Sequence, residues 1–278
     1  SFVAGRSSER AMAIVLRALA SNDTAHPVAA SLEIRQVQTN TRLQSLLLER
    51  ARTAGDDSLR MQCLEKLAGS ALPDVLAEAE RTARDAKRVM SRRAAFTIIA
   101  AAPRAEALKS LQALAQSESS ATRKDAIEHL AQLDPAAVSS TLLERLRTDD
   151  STDVRTAAAN ALVANARFPQ SAATAAALIE ALSRESSETV KVAILNALGT
   201  FHEPAVMETL RSVAVKRGNS AARVAAIAGL MRQSGPESLD GLIELTAEPG
   251  FGDRPKAKLL ECIAARHDPK RRSSTCRR

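Results

Sequence analysis

The apolar positions of this chain return in one repeated phrase. In Asp153-Val154-Arg155-Thr156-Ala157-Ala158-Ala159-Asn160-Ala161-Leu162, the apolar residues at 154, 158, 161 and 162 keep the i, i+4, i+7, i+8 spacing of one helix face, with a basic residue beside the first of them. The same layout runs from Leu59-Arg60 to Cys63 and Leu67, and from Thr122-Arg123 to Ala126 and Leu130. It returns from Val190-Lys191 to Ile194 and Leu198, and from Ala222-Arg223 to Ala226 and Leu230. Looser copies are Ser91-Arg92 with Ala95 and Ile99, and Pro255-Lys256 with Leu259 and Ile263. The basic positions 60, 92, 123, 155, 191, 223 and 256 are separated by 32, 31, 32, 36, 32 and 33 residues. Such a period predicts a stack of helical units, each burying its apolar face against the next.

A second amphipathic set lies between these helices: Leu43 to Arg52, Asp74 to Ala83, Ala105 to Gln116, Ala136 to Arg147, Ala172 to Arg184, Pro204 to Lys216 and Glu237 to Ala247. Links rich in Gly, Pro, Ser and Asp separate the two sets, among them Gly55-Asp56-Asp57-Ser58, Leu133-Asp134-Pro135 and Ser234-Gly235-Pro236. Each unit therefore reads as helix, turn, helix. Pro135, Pro204 and Pro236 mark helix starts, because the N–H that proline lacks is unpaired in a first turn anyway. The 36-residue step contains an insertion around Asn165 to Ser171, where a longer loop and a local break in curvature are expected.

The D-x-V-R-x-x-A-x-x-A-L form of the second helix resembles HEAT repeats, specifically the short variety of phycobilisome lyase subunits, over roughly residues 40 to 265. Tetratricopeptide repeats are disfavoured because the chain has no Trp or Tyr, and ankyrin repeats because Thr-Pro-Leu-His does not occur. The resemblance implies an all-α fold, a right-handed superhelical α-solenoid of about seven to eight HEAT-like hairpins. It implies a capping hairpin over residues 1–40, since Met12 to Ala20 and Val28 to Gln38 lack the Val-Arg signature, and a repeat array over 41–266. Residues 267–278 form a basic tail with no apolar face, expected to be disordered.

Composition agrees with helices. Hydrophobic residues make up 45% of the 278, aromatics only 2%, so Ala, Leu, Val and Ile must fill the interior. No apolar run approaches the ~20 residues of a membrane-spanning helix. The chain opens with Ser1, which fits a removed leader, an upstream domain or membership of a larger assembly, and leaves the compartment open, with the cytoplasm as default. Cys63 and Cys262 fall on apolar helix faces and are expected to be buried thiols; Cys276 lies in the tail, and no spacing suggests a disulfide framework.

The chemistry that would mark an enzyme is missing from the sequence. His26, His129, His202 and His267 fall in different repeats without metal-ligand spacing, and no GxGxxG, GxxxxGK[ST] or GxSxG motif occurs. Asp56 with Asp57, and Asp149 with Asp150, precede helices and are expected to cap them. No cofactor, metal or catalytic residue is therefore assigned. Enzymes with HEAT-like folds include alkyl-base DNA glycosylases, whose aromatic lesion site this chain lacks, and bilin lyases, a role that here would rest on fold analogy alone.

Charge singles out the second helices. The chain carries +7 overall, with a pI near 9.8. The seven second helices hold 14 basic and 6 acidic residues, whereas the first helices hold 11 and 12. In HEAT-like families the row Arg60, Arg92, Arg123, Arg155, Lys191, Arg223 and Lys256 would tie neighbouring repeats through turn carboxylates, with Asp57, Asp153, Glu188 and Asp253 close ahead in sequence. The same resemblance places second helices on the concave side. Lys87, Arg88, Arg93 and Lys124 concentrate the excess in two neighbouring repeats and are the candidate binding residues. The expected function is a non-enzymatic scaffold or adaptor with an acidic protein partner. A binder of nucleic acid or another polyanion is the alternative, and a HEAT-like enzyme subunit ranks third.

Overall fold

The computed structural model describes residues 37–70, 73–85, 89–133, 135–164, 172–216 and 220–233, with scattered residues in 13–21 and 242–263. Among them there is no strand, and the order is α1 (Thr41–Thr53), α2 (Asp57–Leu67), α3 (Pro73–Asp85), α4 (Val89–Ala101), α5 (Arg104–Leu114) and α6 (Ser120–Leu130). Then follow α7 (Pro135–Thr148), α8 (Thr152–Ala164), α9 (Ala172–Arg184), α10 (Glu188–Leu198), α11 (Pro204–Ala214) and α12 (Ala221–Arg232).

The helix starts come from local chemistry. Asn40, Ser119 and Ser220 accept hydrogen bonds from Leu43, Thr122 and Arg223 backbone amides, and the Asp56 carboxylate accepts from Ser58 and Leu59 at 3.3 Å each. Asp149 accepts from Ser151 at 3.0 Å, so both aspartates serve the turns ahead of second helices. Pro73, Pro135 and Pro204 open their helices. Gly69, with φ 78°, follows α2 directly and takes the left-handed conformation that only glycine adopts without steric cost.

The chain divides into two compact units, Ser1–Leu133 and Asp134–Arg278. In the first, α1 packs on α2, α3 on α4 and α5 on α6; α1, α3 and α5 then form one layer and α2, α4 and α6 another. Leu19 is fully buried here, and its carbonyl accepts from Arg50 Nε at 2.7 Å. In the second, α7 packs on α8, α9 on α10 and α11 on α12, with α7, α9 and α11 in one layer and α8, α10 and α12 in the other. Packing of α8 against α10 carries the second unit past residues 165–171, which themselves lie outside the described residues, as do most of 1–40, Pro236, Cys262 and all of 267–278. The boundary between units falls at the Leu133-Asp134-Pro135 link, one hairpin before the insertion.

The core follows the repeated phrase. Counted from the basic position, residues at −1, +3 and +7 are buried in every second helix from α2 to α12: Leu59, Cys63 and Leu67, then Ser91, Ala95 and Ile99, and so on to Ala222, Ala226 and Leu230. Each buried Leu or Ile contributes about 1.5–3 kcal/mol, so the stack is held by many medium-sized contacts instead of a few large ones. Phe96 and Phe201 are the bulkiest of the fully buried side chains. Helices α10 and α12 approach so closely at Gly199 and Gly229 that a Cβ on Gly199 would lie 2.8 Å from Gly229 Cα.

Candidate functional site

A guanidinium at the start of a second helix can reach the carbonyls that the preceding helix leaves without intrahelical partners. The structure uses the basic row in that way. Arg60 donates from Nε to Ala51 O at 3.1 Å and from Nη2 to Ala54 O at 2.6 Å. Arg123 donates from Nη1 to Ser117 O and Glu118 O at 3.0 and 2.9 Å, and Arg223 from Nε to Ala214 O at 2.9 Å. Arg155 donates from Nη1 to Asp149 O and Asp150 O at 2.9 and 3.1 Å. These bonds fasten the turns ahead of α2, α6, α8 and α12.

Two members also reach the following hairpin. Arg92 donates from Nε to Asp125 Oδ2 at 2.6 Å, joining α4 to α6. Arg155 grips Glu185 with two bonds, Nε to Oε2 at 2.8 Å and Nη2 to Oε1 at 3.0 Å. Glu185 also accepts from the Ser186 and Ser187 amides. The Arg155 hydrogen bonds hold the Glu185 carboxyl below the usual carboxylate range, and the same bonds raise Arg155. Thus the carboxylates engaged are Asp125 and Glu185. Glu188 serves another contact, its Oε1 accepting from the Ala222 amide of the next second helix at 2.8 Å. Lys191 is half-buried on α10, and Lys256 lies outside the described residues.

The candidate binding residues occupy a different face. Arg93 and Lys124 follow the row by one residue, about 100° further around the helix. Arg93 is exposed on α4. Lys124 on α6 is 43% exposed and stands 3.9 Å from Glu128. Lys87 and Arg88 lie outside the described residues. Sequence reasoning missed the apolar part of this face: Val89 and Met90, at the start of α4, are 60% and 54% exposed. Their signal was an unbroken Lys-Arg-Val-Met run, in which two large apolar side chains follow two cations ahead of the core phrase.

A shallow cleft of about 210 Å³ opens over the turns of the second unit, lined by Arg147, Arg155, Arg184, Glu180 and Glu185 among others. Its charges are already paired: Arg184 lies 2.7 Å and Arg147 3.9 Å from Glu180, and Arg155 holds Glu185. Arg147 and Arg184 share the single Glu180 carboxylate. Among the described residues no His, Cys, Asp and Glu cluster could hold a metal ion, and no helix is long and apolar enough to cross a membrane. His129 stacks on Phe96 with ring centroids 5.2 Å apart, and burial lowers its pKa against the opposing pull of Asp125 and Glu128.

The family model for HEAT repeats matches residues 73–163 and 175–257. No curated protein sequence matches the chain significantly. Among solved structures, the chain is similar to the karyopherin Kap121p bound to the extreme C-terminus of the protein phosphatase Cdc14p, with 16% identity and a TM-score of 0.58 over 93% of this chain and 33% of that one. Kap121p bound to Ste12p gives 15% identity and a TM-score of 0.57, over 92% and 33% of the two chains. YibA of E. coli gives 14% identity and a TM-score of 0.53, over 90% and 91%. The chain therefore spans about a third of the karyopherin's length and nearly all of YibA's.

Proposed function

The chain belongs to the HEAT-repeat family, and on that premise we propose that it is a non-enzymatic adaptor binding a protein partner along the exposed face of its second helices. The observation that carries this reading is the division of labour on those helices. One set of positions is spent on the core and the row beside it on turns, while Val89, Met90, Arg93 and Lys124 stay accessible. A stack of this kind offers a long surface of adjacent helix faces. The karyopherin neighbours support the reading, since each was solved bound to another protein, in one case to that protein's extreme C-terminus. Within the proposal, residues 1–40 cap the array, 41–266 carry the repeats, the second helices line its concave side, and Lys87, Arg88, Arg93 and Lys124 meet the partner.

The test is capture by the purified chain from a cell extract at low and at high salt, with competing oligonucleotide. A protein retained in the presence of the oligonucleotide, and lost on substitution of Arg93, supports the adaptor. The excess of positive charge on the second helices favours a second reading, a polyanion binder. Retention of nucleic acid alone, with a steep salt dependence, would replace the first reading by the second.

A further inference from the structure

We infer that the α4 and α6 section of this face takes one kind of partner element, an acidic linear segment carrying an aliphatic side chain; the inference rests on the adaptor reading and names its ligand. Val89 and Met90 place exposed aliphatic surface at the start of α4. Arg93 lies three residues beyond Met90, hence on the same face one turn along. Its guanidinium makes no ion pair among the described residues, in contrast to its neighbour Arg92, which is spent on Asp125. Lys124 holds the equivalent position on the adjoining helix, and its contact with Glu128 is a loose one across 3.9 Å of exposed surface, the kind that costs little to exchange. Met61 occupies that position on α2, half-buried. An aliphatic patch bordered by two available cations complements a segment in which carboxylates flank a Leu, Ile, Val or Met. The unbranched thioether of Met90 lets the patch adapt to any of them.

Nucleic acid fits this section less well. Single strands bind through base stacking on aromatic side chains, and this chain has no Trp or Tyr, while Phe96 is fully buried in α4. A phosphate backbone would leave the exposed side chains of Val89 and Met90 uncovered.

Selection of a short random-peptide display library on the full chain tests the proposal. Winners should carry net negative charge and an aliphatic residue. Synthetic peptides made from them should lose about tenfold or more in affinity on Arg93→Glu, where like charges are brought together. They should lose about fivefold or more on Met90→Ser, from apolar contact removed. Both side chains are exposed, so circular dichroism should match wild type, and Thr156→Glu at the same register on α8 should leave binding unchanged. Winners that are neutral or basic, or that bind the Arg93→Glu chain as tightly, overturn this inference and leave the adaptor reading standing. A library yielding no binder, together with salt-sensitive binding of a control oligonucleotide, overturns both.

Discussion

Arg155→Ala removes one guanidinium from two tasks, fastening the α7–α8 turn and joining it to the next hairpin. Four hydrogen bonds disappear, two to Asp149 and Asp150 carbonyls and two to Glu185. The pair is nearly enclosed, with Arg155 15% and Glu185 6% exposed. Deleting one partner of a buried pair costs about 3–5 kcal/mol, and of a charged hydrogen bond about 1.5–3 kcal/mol. Two features move Arg155 toward the lower figure. Glu185 keeps its bonds from Ser186 and Ser187 at 2.9 and 2.8 Å, and water reaches the turn carbonyls once the side chain is gone. A loss of about 2–3 kcal/mol is expected in urea denaturation, with faster hydrogen exchange concentrated in α8 and α10. A double-mutant cycle with Glu185→Ala should return a coupling of about 1–2 kcal/mol. The deficit should shrink in acid. A carboxyl held below its ordinary value stabilises the fold above its unfolded pKa of about 4.3, and that contribution vanishes as pH falls through the depressed value. A loss below about 0.5 kcal/mol, the level of ordinary surface substitutions, or a coupling of zero would refute the assignment of Arg155 to the seam between hairpins.

Gly199→Ala should destabilise the second unit by about 1–3 kcal/mol, because its Cβ meets the Gly229 backbone, which cannot yield as a side chain can; denaturation midpoints check this. Cys63 is fully buried and its thiol is pushed up to about 12, burial outweighing the opposing charge of Arg50, so thiol reagents should leave it unmodified until the chain unfolds. His129 is held neutral by burial, so wild-type stability should be complete above the unfolded histidine pKa of about 6.5 and decline as pH falls through the lowered folded value. His129→Leu, which keeps an apolar side chain against Phe96, should abolish that step in pH-dependent denaturation.

The fold was legible because the same spacing was written several times over. A single amphipathic run such as Val154 to Leu162 fits many helical proteins, but its recurrence at 31 to 36 residues leaves little besides stacked hairpins. The prolines and aspartates of the links were legible for a related reason, since their helix-starting roles depend on atoms within a few residues. Tertiary partners were not legible to the same degree. Asp153 and Glu188 are near Arg155 and Lys191 in sequence, but Arg155 takes Glu185 from 30 residues away, and Glu188 turns to the Ala222 amide 34 residues on. Sequence proximity ranked those carboxylates; the angle at which hairpins stack decides which one lies within reach.

Exposure on the second helices follows the same logic and explains why the proposed binding face is only half written in the sequence. The positions at −1, +3 and +7 must be apolar or small wherever they occur, because neighbouring helices cover them, and the basic position carries a long donor that reaches the turn from Arg60, Arg123, Arg155 and Arg223. The residue at +1 has no such duty. It is Met61, Arg93, Lys124, Thr156, Val192 and Val224 along the six described second helices, six residues without a common chemistry. Half-buried at Met61, Lys124, Thr156 and Val192 and exposed at Arg93 and Val224, this position can differ from hairpin to hairpin at little cost in stability, which makes it a place where partner choice can be encoded. Arg93 and Lys124 were recognisable there by charge alone, whereas Val89 and Met90 resemble core residues until the structure shows that no neighbouring hairpin covers them. Exchanging the +1 residues Arg93 and Thr156 should therefore leave denaturation curves within about 0.5 kcal/mol of wild type while moving acidic-peptide binding away from α4. Loss of stability in that exchange would show that the +1 position is part of the fold after all.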